Sequence, residues 1–142
     1  MLMCWSVDVL EIFFNVKFIF MSKIDKFEDL KCWQASRELV KLAYTSSEQG
    51  KLKNDRDTKS QFKRAALSTM NNIAEGFGRF NRKDFIRFLD YSQSFAIEVK
   101  SMLYVFEDLE YLDPKIIEEL RSKTNDVINL TLGFIKYLRK NV

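Results

Sequence analysis

The residues best placed to do chemistry in this chain fall in one short stretch, Ser68–Leu89, which reads STMNNIAEGFGRFNRKDFIRFL. Asn71, Asn72 and Glu75 stand just ahead of Gly76 and Gly78, with Arg79 beyond. Asn72 and Glu75 are three residues apart and share a helix face. An acid at the C-terminal end of a helix opposes the macrodipole, which favours a cation there, so Glu75 calls for a partner. Arg79 is the nearest. Gly76 and Gly78 tolerate positive φ and permit a tight turn between helices. The spacing therefore predicts a polar latch of Asn72, Glu75, Gly76 and Arg79, with Glu75 and Arg79 at least partly buried and hydrogen-bonded. A catalytic or ligand-binding role ranks below that.

Other chemistries are poorly supplied. The chain has no histidine, which removes the usual base near neutral pH and the commonest metal ligand. Glu75, Asp90 and Glu98 are the acids from which a carboxylate site would be built, but di-metal bundles add Glu-x-x-His pairs. Cys4 and Cys32 lie far apart and form no CxxC pair, so neither a metal site nor a disulfide framework is expected, and a reducing cytoplasm is the simpler setting. P-loop and nucleophile-elbow patterns are missing from the sequence. The expectation is a non-enzymatic protein without metal, cofactor or small-molecule substrate.

Positive charge is unevenly spread. Between Arg56 and Arg87 eight basic residues meet three acids, whereas from Glu98 to Val142 seven bases meet eight acids. Lys59, Lys63 and Arg64 fall on one helical flank, Arg79, Arg82 and Lys83 cluster at the following turn, and Arg87 comes after them. Such a patch suits phosphates, and these seven are the candidate nucleic-acid contacts. The competing reading is a solvated basic face whose ion pairs contribute little. Phe77, Phe80, Phe85 and Phe88, interleaved with these cations, are expected to pack in the core rather than stack on bases.

Four amphipathic segments must position these groups. With 142 residues there is room for one domain, and 46% hydrophobic residues exclude a disordered chain. The longest apolar stretch, Ile12–Phe20, is broken by Asn15 and Lys17 and is too short to span a bilayer. Helix one is predicted over Phe27–Ser47, its stripe running through Leu30, Trp33, Leu39, Val40, Ala43 and Tyr44. Helix two starts near Asp57 or Thr58 as N-cap, carries Phe62, Ala66, Met70, Ile73 and Phe77 inward, and stops at Gly76 or Gly78. Helix three follows the cap Asn81, with Phe85, Phe88, Leu89, Ser92, Ala96, Val99, Leu103 and Phe106 inside. Helix four opens at Asp113-Pro114, and Gly133 within it marks either close packing or a weak spot. The fold expected is an all-α, antiparallel up-down-up-down four-helix bundle. Apolar residues beyond one stripe, such as Leu42, Leu67, Ile86, Phe95, Tyr104 and Leu132, point to a second buried surface and hence to self-assembly.

Residues 1–20 do not share this pattern. Asp8 and Glu11 precede the apolar run, the reverse of a secretory signal, and the segment is neither a clear strand nor a clear helix. The reading favoured is a translation start at Met21, with 1–20 an N-terminal extension and 21–142 the bundle.

Three segments carry a resemblance. Phe27-Glu28-Asp29-Leu30-Lys31-Cys32-Trp33-Gln34, then Ser68 with Asn72-Ile73-Ala74-Glu75-Gly76 and Arg79, then Lys83-Asp84-Phe85-Ile86-Arg87-Phe88-Leu89 follow a shared pattern. This resembles the bacterial four-helix bundle proteins related to those encoded in intervening sequences of 23S ribosomal RNA genes, and the match covers roughly residues 24–140. The chain departs from that pattern at Phe95, since many members have two small residues where this one has Ser94 and Phe95. The resemblance implies a cytoplasmic bundle without enzymatic activity that assembles as a homo-oligomer, a pentamer being the first expectation. A related branch, the accessory protein of diversity-generating retroelements, is a basic pentamer that binds nucleic acid and a reverse transcriptase, so RNA or a nucleoprotein is the partner implied.

Overall fold

The structure, a computed structural model, describes residues 24–140. Among these residues the regular structure is all-helical: α1 (Lys31–Ser46), α2 (Arg56–Phe77), α3 (Arg82–Asp108) and α4 (Pro114–Lys140), with 3-10 turns at Phe27–Asp29 and Leu52–Asn54. The reading of 1–20 as an extension lies outside the described residues.

Local chemistry sets the helix ends. The Asn81 side chain accepts the Asp84 N–H at 3.1 Å, capping α3 as its sequence predicts. Asp113 accepts the Lys115 N–H at 2.8 Å, and Pro114 takes the first helical position of α4, where no N–H is needed. The cap of α2 is Asp55 rather than Asp57 or Thr58; Asp55 accepts the Thr58 N–H at 3.1 Å. The helix thus starts a half-turn earlier than its apolar pattern indicates. Similarly, Phe27 to Asp29 form a separate 3-10 turn and α1 begins only at Lys31.

The helices close a ring: α1 packs against α2 and α4, and α3 against α2 and α4. Contacts between neighbours run in opposite order along the chain. Along α2 and α3, Gly76 lies against Phe88, Ser92 Oγ donates to the Thr69 carbonyl at 2.7 Å, and the Phe62 and Phe106 rings meet edge-on at 5.0 Å. Along α3 and α4, Phe85 meets Phe134, Gln93 donates to the Ile128 carbonyl, and Glu107 pairs with Arg121.

The interior has two apolar clusters. One holds Leu39, Leu52, Phe62, Leu103, Phe106, Ile117 and Leu120. The other holds Leu30, Cys32, Ile73, Leu89, Ile135 and Leu138, with Phe27, Trp33, Phe77, Phe85 and Phe134 packed on it. Burying each such side chain contributes roughly 1.5–3 kcal/mol. On α2, α3 and α4 a fully buried hydroxyl residue stands at the crossing from one cluster to the other, Thr69, Ser92 and Thr131, and on α1 the fully buried Ser36 follows Ala35 just past it. Ser36 donates to the Cys32 carbonyl and Thr69 to the Ala66 carbonyl, while Ser92 bridges α3 to α2. Thr131 Oγ1 has no partner among the described residues.

Two expectations change. The buried face of α1 is Cys32, Ala35, Ser36, Leu39, Ala43 and Ser46, whereas Trp33 is only half-buried and Tyr44 is exposed. Small residues therefore make the inner face, and the larger rings lie along its edges. Gly133 is exposed, and a Cβ built there would meet nothing within 4 Å, so it makes no close approach to another helix of this chain. Among the described residues no helix is long and apolar enough to cross a membrane.

Candidate nucleic-acid interface

The basic residues of α2 divide by helical position. Lys59 and Lys63 are one turn apart and both reach back to Glu48, just after α1, at 3.4 and 3.3 Å. The Lys63 hydrogen bond, then Lys59, hold the Glu48 carboxyl below its ordinary range. Lys63 Nζ also lies over the Tyr44 ring, 5.0 Å from its centre. Arg64, one position on, faces outward and pairs with no acid among the described residues.

The turn after α2 presents the second group. Arg79 Nη2 meets Glu75 Oε1 at 3.0 Å, so the predicted pair forms. It is not buried: the two side chains are 50% and 54% exposed. The pair also lies within one helical pitch instead of bridging two helices. Asn72 takes no part, since its Nδ2 donates to the Ser68 carbonyl at 2.8 Å. Gly76 does hold the helices together, though not by positive φ. It is buried within α2, and a Cβ on it would lie 2.6 Å from Phe88 Cβ and 2.9 Å from Phe85 Cδ2. Gly78 is also right-handed at φ −71°. The left-handed residue of the turn is Phe80, at φ 53°.

Phe88 fills the space that Gly76 leaves and carries cations on its ring. The guanidinium of Arg79 sits 5.1 Å and that of Arg87 5.7 Å from the ring centre. Arg87 also pairs with Asp84 at 3.2 Å. Arg82 and Lys83 are exposed at the start of α3. Phe77 and Phe85 pack on the core at 5.9 Å from each other. Phe80 is 94% exposed, which overturns its assignment to the core. Its sequence signal was present but ambiguous, an aromatic between two cations in a turn.

The seven candidate cations do not form one cluster. At about 1.5 Å of rise per residue, Lys63 and Arg79 are separated by about 24 Å along the helix. Lys59, Lys63 and Arg64 belong to the Glu48 end, and Arg79, Arg82, Lys83 and Arg87 form the tip. Nor do the three candidate acids meet. Glu75 holds Arg79, Glu98 accepts from Gln61 at 3.1 Å, and Asp90 pairs with Arg139 at 3.2 Å. Burial pushes the Cys32 thiol up to about 12, leaving it protonated and a poor nucleophile or ligand.

The sequence profile of the 23S rRNA-intervening sequence protein family matches residues 28–133, from the turn before α1 to late in α4. The chain belongs to that family. Its α2–α3 turn, with the N-I-A-E-G run, lies inside the matched span. A solved structure of similar fold is a protein of unknown function from the S23 ribosomal protein family of Bacteroides thetaiotaomicron VPI-5482. The two superpose with a TM-score of 0.65 at 23% identity, over 74% of this chain and 95% of that one. Among curated proteins none matches.

Proposed function

We propose that this family member is a non-enzymatic, cytoplasmic helical module, an antiparallel up-down-up-down bundle that self-assembles and binds RNA or a nucleoprotein through α2 and the α2–α3 turn. The observation that carries the reading is the group of exposed cations Arg79, Arg82, Lys83 and Arg87 at the α2–α3 turn, with exposed Arg64 further along α2. Clustered cations of this kind release counterions from a phosphate backbone. The oppositely ordered contacts between neighbouring helices support the topology. The outer face of α3 supports assembly: exposed Tyr91, Ile97, Tyr104 and Val105 flank Ser94 and Ser101 along it. A closed ring of copies, a pentamer in the first instance, would multiply the basic field.

A second reading has its own support. Lys59, Lys63, Arg79 and Arg87 already pair with acids of the same chain, which suits a scaffolding oligomer that binds protein alone. Titrating a labelled RNA against salt separates the two. The RNA reading expects log Kd to rise steeply with log salt, and expects Arg64→Glu with Lys83→Glu to weaken binding and flatten the slope by roughly one unit per lost contact. A flat or immeasurable response leaves the scaffold.

A further inference from the structure

We infer that the tip of the α2–α3 turn is a stacking site for an unpaired nucleotide of single-stranded RNA, with Phe80 as its platform. This rests on the proposed RNA binding through the basic region and names the form of RNA it takes.

Two observations make Phe80 unusual. Its ring is 94% exposed, so it contributes almost nothing to the core. Its backbone is left-handed at φ 53°, a conformation that favours glycine or asparagine and disfavours a bulky residue. A residue opposed on both counts, in a turn that glycine or asparagine would suit better, points to a role outside folding. The surroundings specify the role. Phe80 lines an open surface groove of about 360 Å³, together with Ile24, Phe77, Phe85 and Leu138 and the polar residues Asp25 and Arg82.

A base stacked on Phe80 would have apolar side chains at its edge and the Asp25 carboxylate as acceptor for an exocyclic amine. Arg79, Arg82 and Lys83 flank Phe80 in the chain, so phosphates on either side of that base meet cations. This charge selects a polyanion over a neutral peptide. A duplex keeps its bases stacked on one another and offers no free face, so the site takes single strands.

The test is fluorescence anisotropy with a labelled oligocytidine of about a dozen nucleotides and a duplex RNA of matching length, using the full chain, Phe80→Asn and Phe80→Trp. Wild type should prefer the single strand. Phe80→Asn should lose roughly fivefold to a hundredfold of single-strand affinity, the worth of one stacked base, with duplex binding unchanged. Phe80→Trp should retain it. Because asparagine suits the left-handed backbone, the Phe80→Asn chain should melt no lower than wild type, which separates lost stacking from lost fold. Equal single-strand affinity for wild type and Phe80→Asn, with a steep salt slope, overturns the stacking site and leaves the RNA reading intact. No binding of either RNA at low salt removes both. Phe80-dependent binding to vesicles of phosphatidylglycerol and phosphatidylcholine, without RNA binding, makes the tip a membrane contact and overturns the inference.

Discussion

The Tyr111 hydroxyl donates to the Asp55 carboxylate at 2.7 Å, tying the loop after α3 to the residue that caps α2. The same loops are joined again where the N–H groups of Lys51 and Leu52 point at the Tyr111 carbonyl, at 3.0 and 3.4 Å. Gly50, at φ 54°, makes that approach feasible, since a Cβ there would sit 2.2 Å from the Tyr111 oxygen. The Tyr111 hydrogen bond, then the Thr58 N–H, lower the Asp55 pKa, and Asp55 raises that of Tyr111. A lowered acid stabilises the fold above its ordinary value near 4 and loses that contribution as pH falls through the folded value; a raised tyrosine loses its contribution as pH rises through its own folded value, above about 10. Thermal melting followed against pH should show a plateau between these limits. Tyr111→Phe should lower that plateau by a few degrees and weaken the dependence at both edges.

Gly76 and Gly133 should respond in opposite directions to the same substitution. Gly76→Ala forces Phe88 and Phe85 away and should cost about 1–3 kcal/mol. Gly133→Ala enters open space on a helix and should stabilise by up to about 1 kcal/mol. Urea unfolding of the two variants measures both, and a neutral Gly76→Ala would contradict the close approach described.

The buried hydroxyls predict another opposed pair. Thr131→Val removes an oxygen without a partner among the described residues and should stabilise by about 1 kcal/mol. Ser92→Ala removes the bond between α3 and α2 and should destabilise by about the same amount. Chemical denaturation midpoints distinguish the two.

Because Glu75 and Arg79 are half-exposed, their coupling should be small. A double-mutant cycle with alanine at both positions is expected to give about 0.5 kcal/mol or less, shrinking further in molar salt. A coupling several times larger would restore the buried latch that the sequence suggests.

Assembly through the outer face of α3 should fail on Tyr104→Glu or Ile97→Glu. Light scattering at micromolar protein reads the mass directly. The oligomer-breaking variant should also bind RNA more weakly, and a wild-type monomer would defeat the assembly proposal.

Helix punctuation was legible where a side chain closes its own hydrogen bond. Asn81 and Asp113-Pro114 announce α3 and α4 because cap and first turn are local in sequence. Asp55 was harder to see, since Asp57 and Thr58 offer the same chemistry nearer the apolar run. The inner face of α1 was misjudged because Ser36, Ser46 and Ser47 donate to carbonyls three or four residues back and so enter the core while reading as polar. At the candidate site, the Glu75–Arg79 pair followed from an acid at a helix C-terminus with a cation just beyond it, but its exposure depends on which way the end of α2 faces. Glycine pairs ordinarily mark left-handed turns, yet here Phe80 adopts that conformation and Gly76 serves packing. Only tertiary structure separates these uses.

The division of the interior by Ser36, Thr69, Ser92 and Thr131 bears on how the molecule opens. Apolar contact that stops at a polar layer transmits cooperativity poorly, so each half can behave as its own exchange unit. The half beneath Phe80 has the smaller buried cluster, whereas the Asp55 end is also tied by the Tyr111 hydrogen bond between loops. Amide protons of late α2 and early α3 should therefore exchange through an opening shallower than global unfolding, while those around Phe62 and Phe106 wait for the whole chain. The end that presents the basic tip would then be able to loosen and re-form around a strand while the other end stays shut.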